Sequence, residues 1–123
     1  MKKNILITIA GIYGFLGVTL GAFGAHILKD SLSTEMIEIF KTATYYNLIH
    51  TAVILIIGMV GNEKYYISGL FLSMGVFLFS FSLYAYALSN NSVFAIATPF
   101  GGISLIIGWI LLIWQTFKKQ KES

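Results

Sequence analysis

Residues 4–28, NILITIAGIYGFLGVTLGAFGAHIL, decide the fold, because this stretch contains no Asp, Glu, Lys or Arg. An α-helix rises about 1.5 Å per residue, so roughly 20 apolar residues cross the hydrocarbon core of a bilayer. The apolar region of a cleavable secretory signal is shorter, about 7 to 15 residues. The stretch therefore predicts a membrane-spanning helix that the protein retains.

Three further spans follow from the same criterion. Residues 42–62 form a second uncharged tract that ends at Gly61 and Asn62, a turn signal. Residues 65–117 are also uncharged and too long for one span, and the polar run 89–92 divides them into two. We therefore predict a single all-α membrane domain over residues 1–123, a four-helix transmembrane bundle with spans at about 4–28, 42–61, 66–88 and 96–117.

The composition agrees with a membrane protein and excludes several functional classes. Hydrophobic residues make up 57% of the chain and charged residues 11%, against about 25% charged in soluble proteins. The net charge of +3 comes from lysine without any arginine, so the side chain that most often reads bases and phosphates is missing. Without cysteine, thiolate metal sites and cysteine nucleophiles are excluded. We expect membrane lipid as a partner and no nucleic acid.

Two helix starts carry recognisable capping signals. Ser33 can cap the second helix, whose first turn contains Glu35. Thr98 and Pro99 are typical of an N-cap followed by the first residue of a helix. The intervening residues 93–97 fit either an interfacial or re-entrant stretch or a first turn bent by the proline, and the sequence leaves both open.

The lysines predict how the bundle is oriented. Lys29 and Lys41 fall on one side, and six others fall on the opposite side: Lys2, Lys3, Lys64, Lys118, Lys119 and Lys121. The lysine-rich side is expected to be cytoplasmic. Interfacial anchors are predicted from Trp109 and Trp114 near the inner end of the fourth span and from Tyr45 and Tyr46 near the outer end of the second. The prediction is an antiparallel up-down, N-in/C-in, multi-pass protein of the plasma membrane with both termini cytoplasmic.

Small residues recur on two of the predicted spans. Successive members are three or four residues apart, which at about 100° per residue suggests a single helix face for each set. The sets are Gly11, Gly14, Gly17, Gly21 and Gly24 on the first span and Gly101, Ser104 and Gly108 on the fourth. Such faces let helices approach closely in membranes. We interpret them as packing within one chain, with a substrate path or a contact to a second copy or another membrane protein as alternatives.

Polar residues collect at one depth once the four spans are placed side by side. The candidate polar layer in the outer half comprises His26, Tyr46, Asn47, His50, Ser82, Tyr84 and Thr98. Ionisable groups inside a membrane are costly, so His50 should have a partner in the bundle and be neutral. The layer is either a structural hydrogen-bond network or a binding site, and the sequence does not separate these interpretations.

Several segments resemble a known family. They are GAFGAH at residues 21–26, Thr42-Ala43 with Tyr46 and His50, Phe79-Ser80 with Ser82-Leu83-Tyr84, TPFGG at 98–102, and Gly108-Trp109. Together they resemble the domain of unknown function 423 family of small bacterial membrane proteins. The resemblance implies a four-span plasma-membrane protein without an established activity. Phe81 stands where the family pattern has glycine, which puts close helix approach there in doubt.

No motif in the sequence specifies a catalytic, cofactor-binding or metal-binding site, so we expect no cofactor and weigh three functional hypotheses. The first is a non-enzymatic protein acting through packing with lipid or a membrane partner, because acidic residues are confined to loops and the tail. The second is an oligomeric small-solute transporter or channel with an outer-leaflet polar site, since one chain has few spans for a pathway. The third is a haem-binding redox carrier through His26 and His50.

The lysine distribution predicts opposite reactivity for two engineered cysteines. A single cysteine at Asn91 should react with an impermeant maleimide on intact cells, whereas one at Ser123 should react only after permeabilisation. The absence of native cysteine keeps the background low. Labelling of intact cells at Ser123 but not at Asn91 would reverse the predicted orientation.

Overall fold

The computed structural model describes residues 2–118, apart from the side chains of Lys2, Lys3 and Ala25, and this range contains helices and no strands. Two long helices come first: α1, Lys2–Ile27, and α2, Thr34–Val60. The third span joins a 3-10 turn Glu63–Tyr65, α3 Tyr66–Val76, a π-helical segment Phe77–Phe81 and α4 Ser82–Ser89. A 3-10 helix Ser92–Ile96 and α5 Thr98–Thr116 complete the fold. Lys119, Lys121 and Ser123, used in the orientation argument, lie outside the described residues.

Four helical stretches are long and apolar enough to cross a membrane. They are Asn4–Gly24, Thr34–Val60, Glu63–Ser89 and Ser92–Thr116, with mean hydropathies of 2.0, 1.6, 1.8 and 2.1. The predicted number of spanning helices is therefore confirmed. α2 begins eight residues before the uncharged tract that predicted it, so its first turns carry charged side chains.

The turn chemistry explains where the helices end. The Ser33 hydroxyl accepts a hydrogen bond from the Met36 amide at 3.2 Å, which confirms the predicted N-cap of α2. α2 ends at Gly61 with φ 72°, and α4 ends at Asn90 with φ 55°, both in the left-handed region that closes a helix. The Asn91 side chain then accepts from the Val93 amide at 3.1 Å and starts the 3-10 helix.

Thr98 is not the N-cap of α5, contrary to the prediction. Ala97 occupies that position without a side-chain hydrogen bond, because the preceding 3-10 helix runs directly into α5. The Thr98 hydroxyl instead lies 2.6 Å from that of Ser82. Pro99 does sit in the first turn, where a proline needs no donor.

The glycines of α1 lie along α2 in an ordered series. A Cβ at Gly14 would lie 3.6 Å from Thr51, and one at Gly21 would lie 3.0 Å from Thr44. Between them, a Cβ at Gly17 would come within 2.8 Å of the Asn47 amide nitrogen. Close approach of α1 to α2 thus depends on glycine at this face.

The first and last glycines of the α1 series differ in what they contact. Gly24 lies directly against the Phe40 ring, whereas a Cβ at Gly11 would meet nothing within 4 Å. Including Gly11 in the packing face was wrong, because six residues at about 100° each place it roughly 120° from Gly17. Beyond that point the small residue is supplied by α2, where Gly58 lies against Ile7.

The fourth span packs on the third through small residues as well. A Cβ at Gly101 would lie 2.7 Å from the carbonyl carbon of Leu78, so α5 touches the backbone of the π-helical segment. A Cβ at Gly108 would lie 2.7 Å from Leu72, and the Ser104 hydroxyl donates to the Phe71 carbonyl at 2.7 Å. The helices therefore approach closely here although the chain carries Phe81 in place of glycine.

Two apolar clusters occupy opposite ends of the bundle. One contains Leu6, Ala10, Ile54, Ile57, Leu72, Val76 and Leu105. The other contains Met36, Phe40, Ala43, Tyr84 and Ala87. Along α2 the stretch between Ala43 and Ile54 carries the buried polar residues Asn47, His50 and Thr51. The fold thus places these three polar side chains of α2 between the two apolar clusters.

The same glycine-to-leucine change at two positions of α1 tests this packing. Gly17→Leu should destabilise the protein by about 1–3 kcal/mol, because the added side chain overlaps Leu48 and Asn47. Gly11→Leu should leave stability unchanged or slightly higher, since it meets open space and leucine favours helix. Thermal unfolding in detergent, followed by circular dichroism, measures both. Equal losses for the two variants would contradict the close contact at Gly17.

Candidate functional site

A continuous hydrogen-bonded chain connects α2 with α4. The Thr51 hydroxyl donates to the Asn47 carbonyl oxygen at 2.9 Å, and the Asn47 amide donates to the Tyr84 hydroxyl at 3.3 Å. Tyr84 donates onward to Thr44 at 3.1 Å, and Thr44 donates to the Phe40 carbonyl at 3.2 Å. Each hydroxyl therefore has an acceptor for its proton, and the chain ends on a backbone oxygen.

His50 links α2 to α5, and both of its ring nitrogens are bonded. Nδ1 lies 2.8 Å from the Tyr46 carbonyl, which can only accept, so Nδ1 carries the proton. Nε2 accepts from the Trp109 indole nitrogen at 3.0 Å, because an indole can only donate. These roles correspond to the neutral imidazole in a single tautomer.

Tyr46 takes part through its backbone and its ring. The ring stacks on His50 with an interplanar angle of 4° and centroids 5.8 Å apart. It also contacts the Phe79 ring, with centroids 4.6 Å apart. The sequence placed Tyr46 in the polar layer, and the atom that bonds to His50 is its backbone carbonyl oxygen.

A third polar contact joins α4 to the start of α5. The Ser82 hydroxyl donates to the Phe79 carbonyl at 2.9 Å and lies 2.6 Å from the Thr98 hydroxyl. Because the Ser82 proton is already used, Thr98 is the donor of that second bond. Phe79 therefore lies between two polar groups, with its ring on Tyr46 and its carbonyl on Ser82.

The seven predicted layer residues fall into three hydrogen-bonded groups and one outlier. Asn47 and Tyr84 share the first group, Tyr46 and His50 the second, and Ser82 and Thr98 the third. His26 is exposed at the end of α1 and lies apart from all three groups, because α1 ends one residue later. The polar side chains are thus distributed over several contacts between helices.

The seven predicted residues leave out three side chains of these groups, Thr51, Thr44 and Trp109. Thr44 lies three residues before Asn47 and hence on the same side of α2, which is a signal that the sequence contains. Trp109 was predicted as an interfacial anchor, but its indole nitrogen is bonded to His50. No spacing within α5 reveals this partner, because the contact depends on how α5 is rotated against α2.

The geometry does not fit a haem held by His26 and His50. α1 meets α2 near His50 at the level of Gly14, where a Cβ would lie 3.6 Å from the Thr51 methyl group. His26 lies twelve residues farther along α1, about 18 Å by helical rise. Two axial nitrogens on one iron are only about 4 Å apart. Among the described residues, no three His, Asp or Glu side chains cluster in a way that could hold a metal ion.

Comparison with known proteins identifies relatives over the whole chain. A family model described as a protein of unknown function, DUF423, matches residues 20–102. The UPF0382 inner membrane protein YgdD of Escherichia coli K12 is 37% identical over 127 residues, which cover 100% of this chain and 97% of the relative. A UPF0382 membrane protein of Staphylococcus epidermidis is 36% identical over 118 residues, 94% of this chain and 97% of the relative. No solved structure matches the chain. The relatives are named as membrane proteins, in agreement with the four apolar helices.

The His50 contact can be tested with two tryptophans on the same helix. Trp109→Phe should cost about 1–3 kcal/mol of stability, because it leaves the His50 Nε2 atom without a donor inside the bundle. Trp114→Phe serves as the control, since that side chain is 55% exposed and a surface substitution usually changes stability by less than about 0.5 kcal/mol. Thermal unfolding of both variants in the same detergent gives the comparison. A Trp109→Phe variant as stable as the native protein would show that this hydrogen bond does not stabilise the bundle.

Proposed function

Because this chain belongs to the DUF423 family of membrane proteins of unknown function, as its motifs suggested, we propose its role from its own geometry. It is a non-enzymatic plasma-membrane protein that acts through contact with lipid or with a membrane partner. The observation that supports this most is that the polar side chains between α2, α4 and α5 are bonded to one another or to backbone carbonyls, while large apolar side chains cover the outside. Among the described residues, the buried hydroxyls of Ser68 and Ser80 have no hydrogen-bond partner. Such an interior stabilises a bundle and, within the described residues, offers no activated nucleophile or acid–base pair.

The proposed topology is an antiparallel up-down bundle with both termini cytoplasmic. Contacts between α1 and α2 support it, because Gly21 lies against Thr44, Gly14 against Thr51, and Ile7 against Gly58. Residue numbers along α2 rise as those along α1 fall, as expected for antiparallel helices. The excess of lysine beside the first, third and fourth spans supports the assignment of the inner side.

The outer surface has the character of a lipid- or partner-contacting surface. On α1, Phe15 is 70% exposed, and on α5, Phe100 is 62% exposed. Both lie on helices that make up the flanks of the bundle, since α1 packs mainly on α2 and α5 mainly on α3. Exposed aromatic side chains at these flanks are available to acyl chains, to a second copy of this chain or to another membrane protein.

Photocrosslinking identifies what touches these flanks. Benzoylphenylalanine replacing Phe15 or Phe100 should form adducts with lipid or with one defined membrane protein in native membranes. The same residue replacing Phe40, which is 5% exposed, is the control and should react within this chain. Identical adduct patterns at exposed and buried sites would contradict the proposal.

Flux measurements address the transporter hypothesis. Liposomes containing the protein should release entrapped small solutes no faster than protein-free liposomes, because the polar side chains between α2, α4 and α5 are bonded to each other or to the backbone. Release that depends on the protein and changes in Tyr84→Phe would show a polar pathway and overturn the non-transporting role.

A further inference from the structure

A cavity of about 260 Å³ lies between the end of α1 and the first half of α2. Its walls include Gly21 and Gly24 of α1, Phe40 and Thr44 of α2, and the connecting leucines Leu28 and Leu32. One water occupies about 30 Å³, so the space is far larger than a water site. The walls are predominantly apolar, which suits a hydrocarbon segment better than an ionic solute.

Glycine explains why this space exists. Gly21 and Gly24 present backbone to the cavity, and a Cβ at Gly21 would already lie 3.0 Å from the Thr44 methyl group. The GAFGAH segment at residues 21–26 therefore serves two purposes. It brings α1 close to α2, and it leaves a recess where the two helices meet the connecting segment.

Among the described residues that line the cavity, Lys41 is the one that carries a charge, and it is a cation. Its ammonium lies 3.7 Å from the Glu38 carboxylate, and both side chains are about two-thirds exposed, at 67% and 68%. An exposed pair of this kind is weak, so a stronger anion can displace Glu38 from Lys41. Tyr45 also lines the cavity, four residues after Lys41 on the same face of α2, and a tyrosine hydroxyl can donate to an anion.

The cavity also lies near the end of the first uncharged tract, where charged residues resume. Charged residues follow α1 directly at Lys29 and Asp30, and α2 becomes uncharged after Lys41. The recess therefore opens near the boundary between headgroups and hydrocarbon. At that depth a membrane lipid presents both a phosphate and the first part of an acyl chain.

We propose that this cavity is a binding site for a membrane phospholipid, with an acyl segment against the glycine and leucine walls and the phosphate at Lys41. The apolar walls account for the acyl chain, and the Lys41 ammonium accounts for the anionic group. The inference rests on the proposed function and deepens it, because it assigns one specific lipid site to a protein that acts through membrane contacts.

Native mass spectrometry of the detergent-purified protein tests the site. The probes are phosphatidylglycerol and the uncharged diacylglycerol with the same acyl chains. Phosphatidylglycerol should be retained preferentially, and Lys41→Gln should reduce that retention about fivefold, as expected for one basic residue at a lipid headgroup. Lys29→Gln removes the same charge on the same side without lining the cavity and should leave retention unchanged.

Two further measurements test the acyl-chain part of the site and the need for a chain attached to the anion. Leu32→Trp fills part of the cavity and should lower retention of both lipids while circular dichroism stays that of the native helix bundle. Glycerol phosphate, which has the anion without the chain, should not compete. Equal retention of the two lipids, equal effects of Lys41→Gln and Lys29→Gln, or competition by glycerol phosphate would each overturn the site. These results leave the crosslinks at Phe15 and Phe100 unaffected, so failure of the site and failure of the proposed function are distinguishable.

Discussion

The amide of Asn47 has to be hydrogen-bonded inside the bundle, and much of the arrangement of the helices follows from that requirement. The side chain is fully buried, and no water is available in a bilayer core to bond an unpaired amide. Its carbonyl accepts from Thr51 and its nitrogen donates to Tyr84, which fixes the distance between α2 and α4. On its other side it lies under Gly17, where any side chain would collide with it. One residue thus positions parts of three spans.

The other contacts between spans follow the same physical rule. Lipid is as apolar as leucine, so burial of leucine between helices gains little, and helices associate through close packing and polar bonds. Gly101 against the backbone of the π-helical segment and Gly14 to Gly24 against α2 provide the close packing. Trp109 with His50, and Thr98 with Ser82, provide polar bonds to α5. Apolar clusters on either side complete the interior.

The sequence was sufficient for features that depend on local chemistry and insufficient for those that depend on helix rotation. Charge-free tracts and the turn residues Gly61 and Asn90 located four spans, and Ser33 identified the start of α2. Phe77–Phe81 gave no local sign of π-helical geometry. Gly11 was assigned to the packing face by its spacing from Gly14, although repeated steps of three residues gradually turn away from that face.

The polar groups also divide into those that the sequence predicted and those that depend on helix rotation. Asn47 and Tyr84 were predicted members of the layer, but the partner of His50 could not be read from α5, because it depends on tertiary rotation. In the proposed function, the interior polar residues hold the helices together, and the outer surface and the α1–α2 cavity contact lipid. That proposal treats the interior hydrogen bonds as structural and assigns the function to the surface.

A double-mutant cycle in detergent between Asn47→Leu and Tyr84→Phe tests the structural role of the interior most directly. Each single variant should lower the unfolding free energy, and the two effects should be coupled by about 0.6–2 kcal/mol, because each removes the same hydrogen bond. Fully additive effects, or single variants as stable as the native protein, would show that this bond does not hold the bundle together.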